Sequence, residues 1–133
     1  MVFPWQKMTK AIARSEDVEA VFEHRGAECQ AVLTGRITID SSPDLRETLL
    51  KQLASPNCRT LIIDFCGVAY VDTSGLAMLV EILKAARTQG KEFQLAGLKE
   101  RPRYLLETTR LLPFFHEANS ETLQKSDSSE SPQ

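Results

Sequence analysis

Residues Thr60–Phe65 form a short, nearly continuous apolar run, and within a few residues the spacing changes to that of an amphipathic helix. Such a run, lacking polar alternation, is the pattern of a strand buried on both faces. Leu76, Leu79, Val80 and Leu83 then recur on one helical face until Gly90, which ends the helix. A buried strand feeding a helix is a building unit of α/β architectures. Between the two lies Val71-Asp72-Thr73-Ser74-Gly75-Leu76. Its two hydroxyls sit at a helix N-terminus, where free N–H groups and the positive dipole end favour added negative charge. A hydroxyl so placed is a candidate for reversible phosphorylation.

The flanking signals extend the pattern. Glu19–His24 and Cys29–Gly35 bracket the loop Arg25-Gly26-Ala27-Glu28 and read as an antiparallel hairpin. Ser42 reads as an N-cap, Pro43 as the first helical residue and Asp44 as a dipole-matched acid. Leu45, Leu49 and Leu53 form that helix's buried stripe, and Ser55-Pro56-Asn57 ends it. Glu92–Gly97 reads as a strand, and Arg101–Leu112 as a helix with Tyr104, Leu105, Thr108, Leu111 and Leu112 facing inward. Phe114-Phe115-His116 reads as a short last strand and Ser120–Gln124 as a final helix. Residues 1–17 read as an extension, with a short helical turn over Lys7–Ala13, and residues 125–133 as a disordered polar tail. The resulting alternation of strands and helices argues an α/β fold with a mixed sheet and right-handed crossovers.

Composition narrows the function. A chain of 133 residues fits one core, and a net charge of −2 without a basic stripe speaks against nucleic acid as a partner. No apolar run approaches the ~20 residues of a membrane helix. The first residues lack the long apolar core of a signal peptide, so direct membrane insertion is not expected and a cytoplasmic location is. Cys29, Cys58 and Cys66 show no Cys-x-x-Cys spacing, and neither His24 nor His116 has a partner at ligand spacing. Neither a metal nor a cofactor is expected. Cys66 is expected to pack at the end of the buried strand.

The stretch Ile62–Leu76, with its strand ending in Asp64 and its Asp72-Thr73-Ser74-Gly75-Leu76, resembles the signature of STAS domains, the anti-sigma factor antagonist fold. Thr34-Gly35-Arg36-Ile37-Thr38 is similar to the family's second strand and turn, and Leu111–Phe115 to its closing segment. The resemblance covers roughly 18–124. It implies a small mixed β-sheet of about four to five strands backed by about four helices, and a short loop between the central strand and the motif. It also implies a role as an antagonist that binds an anti-sigma serine kinase. Phosphorylation of Thr73, or of the neighbouring Ser74, would abolish binding, and a PP2C-type phosphatase would restore it. The partner face implied is Thr38, Asp40, Ser41, Asp72, Thr73, Ser74, Gly75 and Leu76. Phosphorylated members often carry an acid at the end of the second strand; here that position is Thr38, and Asp40 follows two residues later.

Rival readings exist. Asp72 either caps the helix or orients the Thr73 hydroxyl, and a simpler view gives both residues no role beyond capping. Gly75 is expected to let a partner approach the backbone. The loop Thr38–Ser42 should lie beside the motif, as part of the contact face or as a helix entry alone. An aspartic-protease reading of Asp-Thr-Ser-Gly fails, because a helix follows and no second copy exists. Neither histidine sits in a recognisable base arrangement for nucleophilic catalysis, so an enzyme is not expected. A stand-alone STAS subunit of a lipid-transport ABC complex, meeting its ATPase through the same motif, is the alternative binding role.

Overall fold

A computed structural model describes residues 6–8, as backbone, and 17–118. The strands are β1 (Gln6–Met8), β2 (Val18–Arg25), β3 (Glu28–Ile37), β4 (Thr60–Val71), β5 (Glu92–Ala96) and β6 (His116–Ala118). The helices are α1 (Ser42–Ala54), α2 (Thr73–Gln89) and α3 (Glu100–Thr108). All six strands join one sheet in sequence order. β1–β2 and β2–β3 pair antiparallel, and β3, β4, β5 and β6 run parallel. The mixed α/β class expected from the alternating pattern is therefore the one observed.

Details depart from expectation. The sheet has six strands, because Gln6–Met8 pairs with Phe22–His24. Lys7 and Met8 are thus strand, not a helical turn. Three α-helices are present among the described residues; the Ser120–Gln124 helix and the polar tail fall outside them. Phe114 belongs to a 3-10 turn over Leu112–Phe114, and β6 starts only at His116. Residues Leu111 and Leu112 are partly buried, but Tyr104 is 64% exposed and Thr108 is exposed. The helix begins at Glu100 and buries Pro102 and Leu106 instead.

β4 is the largest correction. It does not end in a loop after Phe65 but continues to Val71, paired with β3 throughout. Two register shifts opposite β3, between Val32 and Thr34 and between Gly35 and Arg36, give β4 one extra residue each time. Such bulges bend a strand and re-aim its side chains. Burial accordingly passes from Leu61, Ile63 and Phe65 to Val68 and Val71, while Cys66 and Gly67 are exposed. Cys66 therefore does not pack in the core; the first bulge turns it out.

Leu45, Leu49 and Leu53 of α1 and Leu79, Ile82 and Ala86 of α2 are buried with Phe22, Leu33, Ile37 and Phe65 of the sheet. α2 ends on Gly90 in the left-handed conformation, its N–H closing on Ala86 and Arg87 carbonyls. This core fixes where the N-terminus of α2 points: off the carboxyl ends of the parallel strands.

Candidate functional site

The motif gathers around Asp72, the extended residue between β4 and α2. Its Oδ1 accepts from Ser74 N at 2.9 Å, Gly75 N at 3.2 Å and the Ser74 hydroxyl at 2.5 Å. Its Oδ2 accepts from Ile39 N at 3.0 Å. Asp72 is thus a helix cap that also holds the loop between β3 and α1, and its bonds go to Ser74, Gly75 and Ile39 rather than to the Thr73 hydroxyl. The backbone repeats the link, with Asp72 N donating to Ile37 O at 3.1 Å. Partial burial raises the Asp72 carboxyl, and the Ser74 hydroxyl with the three N–H groups outweighs it, so the group lies below its ordinary value.

That direction fixes a pH signature. A depressed native value stabilises the fold above the unfolded-state value near about 4 and is lost as pH falls through the native one. Asp72→Ala is expected to cost about 1–2 kcal/mol at pH 7, the worth of a good cap. Urea titrations should show that gap between variant and parent closing below about pH 4. A gap unchanged down to pH 2 would rule out the capping carboxylate as its source.

The remaining motif residues divide by exposure. Thr73 is exposed, at the first turn of α2, and its hydroxyl has no hydrogen-bond partner among the described residues. Ser74 is half-buried and engaged, donating to Asp72 and accepting from the Ser42 hydroxyl at 3.1 Å. Gly75 and Leu76 are buried. A Cβ on Gly75 would lie 2.6 Å from Val71 Cγ1 and 3.0 Å from Ile37 Cγ2. The glycine lets the helix settle on β3 and β4, so internal packing by itself already requires it.

In the loop, Thr38 is half-buried, Asp40 is exposed, and Asp40 N donates to Thr38 Oγ1 at 3.2 Å. Ser41 is buried, its hydroxyl accepting from Thr38 N at 2.9 Å. Ser41 occupies the cap position of α1 and Ser42 is already helical, one residue from the sequence expectation. The loop does lie beside the motif, as Ile39 N on Asp72 and Ser42 on Ser74 show. Thr38, Asp40, Asp72 and Thr73 face outward together; Ser41, Gly75 and Leu76 support them from behind.

Two features escaped the sequence reading. Ile39 is 68% exposed beside the motif, a large apolar side chain with no core to join. Its signal was available: one isoleucine inside an otherwise polar loop. Arg36 and Arg101 also stack on Tyr70, at 4.6 and 5.7 Å from the ring centroid. Arg101 also lines an open groove of about 540 Å³ between residues 66–69 of β4 and residues 99–102 at the start of α3. Among the described residues no three His, Cys, Asp or Glu side chains are placed to hold a metal ion, and no helix is long and apolar enough to cross a membrane.

Comparison with known proteins places this geometry. The sequence model of the STAS domain matches residues 20–126. The anti-sigma-B factor antagonist of Staphylococcus aureus (strain NCTC 8325 / PS 47) is 29% identical over 82 residues, which are 62% of this chain and 75% of that one. The anti-sigma factor antagonist SpoIIAA, in its unphosphorylated form, superposes with a TM-score of 0.67 at 16% identity, over 78% of this chain and 91% of its own. An anti-sigma factor antagonist from Mycobacterium paratuberculosis gives 0.68 at 16% identity, over 84% and 96%. At such identities the two structural likenesses are likenesses of fold.

Proposed function

The chain belongs to the STAS domain family, and from that membership we propose that it is an anti-sigma factor antagonist. In this reading the face formed by Thr38, Ile39, Asp40, Asp72 and Thr73 binds an anti-sigma serine kinase that otherwise holds a sigma factor. The kinase transfers the γ-phosphoryl group of ATP to Thr73 Oγ1, the hydroxyl proton leaves, and the complex dissociates. A PP2C-type phosphatase hydrolyses the ester and restores the binding form. The protein itself performs no catalysis; it acts in the cytoplasm by occupying its partner.

The observation that supports this most is the division of labour between the two adjacent hydroxyls. Ser74 is held between Asp72 and Ser42, so modifying it would break the link between α1 and α2. Thr73 is exposed on the same turn with nothing to give up. An acceptor must reach a kinase active site without unfolding its own domain, and Thr73 meets that condition. Modification adds roughly −1.5 to −2 charges beside the helix N-terminus, where N–H groups tolerate them.

The test is incubation with the cognate kinase and ATP, followed by mass-spectrometric mapping. Phosphate on Thr73, with Thr73→Ala unmodified yet still bound to the kinase, is the expected result. Phosphate elsewhere, together with partner binding indifferent to Thr73, sinks the proposal. Capture of an ABC-transporter ATPase instead of a kinase, by the same bait from native lysate, would replace it with the transport-subunit reading.

A further inference from the structure

Of the three large apolar side chains exposed among the described residues, Tyr104 and Phe114 belong to α3 and the turn after it, and only Ile39 stands at the motif. A single exposed isoleucine on a loose loop needs no explanation. This one is held. Thr38 O accepts from Ser41 N at 3.0 Å and Ser42 N at 2.8 Å, and Thr38 Oγ1 accepts from Asp40 N at 3.2 Å. Thr38 N donates in turn to Ser41 Oγ at 2.9 Å. The segment is thereby closed on itself, with Ile39 and Asp40 as the central residues of its turn. Ile39 N reaches across to Asp72 Oδ2 at 3.0 Å, while Asp72 Oδ1 caps the helix that carries Thr73. One carboxylate thus fixes both the exposed isoleucine and the start of α2.

We propose that Ile39 is the specificity anchor of the kinase contact, seated in an apolar pocket of the kinase, and that Asp72 is the positioning residue that aims it. The inference deepens the reading of Thr73 as acceptor and rests on it. The Ile39 side chain is 68% exposed, so a pocket closing over it removes most of its apolar area from water. β-branching leaves it few rotamers, and the hydrogen-bonded turn leaves its backbone few alternatives, so little freedom is lost on docking. Thr38 and Asp40 on either side supply a polar rim. The partner's chemistry follows: a pocket sized for a branched aliphatic side chain, beside the site that receives the Thr73 hydroxyl. The anchor selects which kinase acts and takes no part in phosphoryl transfer.

Asp72→Asn isolates the positioning role. The asparagine Oδ1 still accepts from the Ser74 and Gly75 N–H groups, since asparagine caps a helix as well as aspartate does. Its amide NH2 then faces Ile39 N, donor against donor, and the bond to the loop is lost.

The experiment measures steady-state phosphorylation of the full chain by its cognate anti-sigma kinase and ATP. Ile39→Ala is expected to raise the KM for this protein roughly 10- to 100-fold, with turnover at saturation within about twofold of the parent. Ile39→Val, which lacks one carbon, should bring KM back to within about fivefold of the parent. Asp72→Asn should also raise KM, and the double variant should be no worse than Ile39→Ala alone. Ile39 belongs to no part of the core cluster, so thermal melts of both its variants should match the parent and separate lost contact from lost fold. Ile39→Ala phosphorylated with the parent's KM would overturn the anchor, and a double variant whose losses add would overturn the positioning role. A kinase that leaves the parent itself unmodified would sink the proposed function, and this inference with it.

Discussion

Replacing Gly35 with alanine should remove roughly 3–5 kcal/mol of stability, a large share of the total for a domain of this size. Gly35 has a φ of +116°, where any residue with a Cβ is strained by about 1–3 kcal/mol. The added carbon would also lie 2.0 Å from the Asp17 carbonyl oxygen and 3.2 Å from Val18 Cα. Both are backbone atoms at the start of β2, so no side chain can swing aside. The same carbonyl accepts from Arg36 N at 2.7 Å, so the displacement would also break the bond that begins the β2–β3 ladder. Gly26→Ala is the control. Its φ is +61°, but no atom lies within 4 Å of the new carbon, and it should lose only about 1–2 kcal/mol. Urea denaturation with a common slope measures both. Equal losses would show that backbone conformation, rather than the Asp17 contact, sets the requirement.

The second large effect concerns binding. If the proposed kinase complex forms, Thr73→Glu should weaken it by roughly two to four decades, with Thr73→Ala close to the parent. The face combines an exposed isoleucine with a threonine methyl, surfaces that favour a dry contact, and Asp72 already supplies a carboxylate. A second negative charge trapped there without a counter-ion loses its water and gains nothing in return. Thr73 has no internal partner to lose, so the glutamate variant should fold as the parent does, and calorimetric titration reads the partner alone. Ser74→Ala separates the two hydroxyls: it should lower stability, by releasing the Asp72 and Ser42 contacts, while leaving an acceptor in place. If Thr73→Glu binds as tightly as the parent, charge at this position is not the switch.

Much of this was legible in the chain because the strongest signals were local. The apolar run of β4, the leucine stripe of α1 and the Gly90 stop all depend on neighbours within a turn or two. Thr73 was legible for the same reason, since an Asp-Thr-Ser-Gly at a strand-to-helix junction places a hydroxyl at a helix start. What misled depends on pairing. Cys66-Gly67 looks like the end of a strand, yet β3 holds β4 through two bulges and carries it to Val71. Tyr104 fitted an apolar spacing with Thr108 and Leu111, but the helix ends at Thr108 and turns the face of Pro102 and Leu106 to the core, which leaves Tyr104 in solvent. The reach of Asp72 to Ile39 N and of Ser42 to Ser74 joins segments that no sequence window spans.

β5 pairs with β4 only over Thr60–Asp64, so among the described residues β3 is the one strand paired with Gly67–Val71. As a strand, β4 is a cantilever: it has a paired neighbour on both sides over Thr60–Asp64 and on one side towards the end bearing the motif. In the proposed switch, a group added at Thr73 would meet the half of β4 that a single neighbouring strand holds, away from the half flanked on both sides.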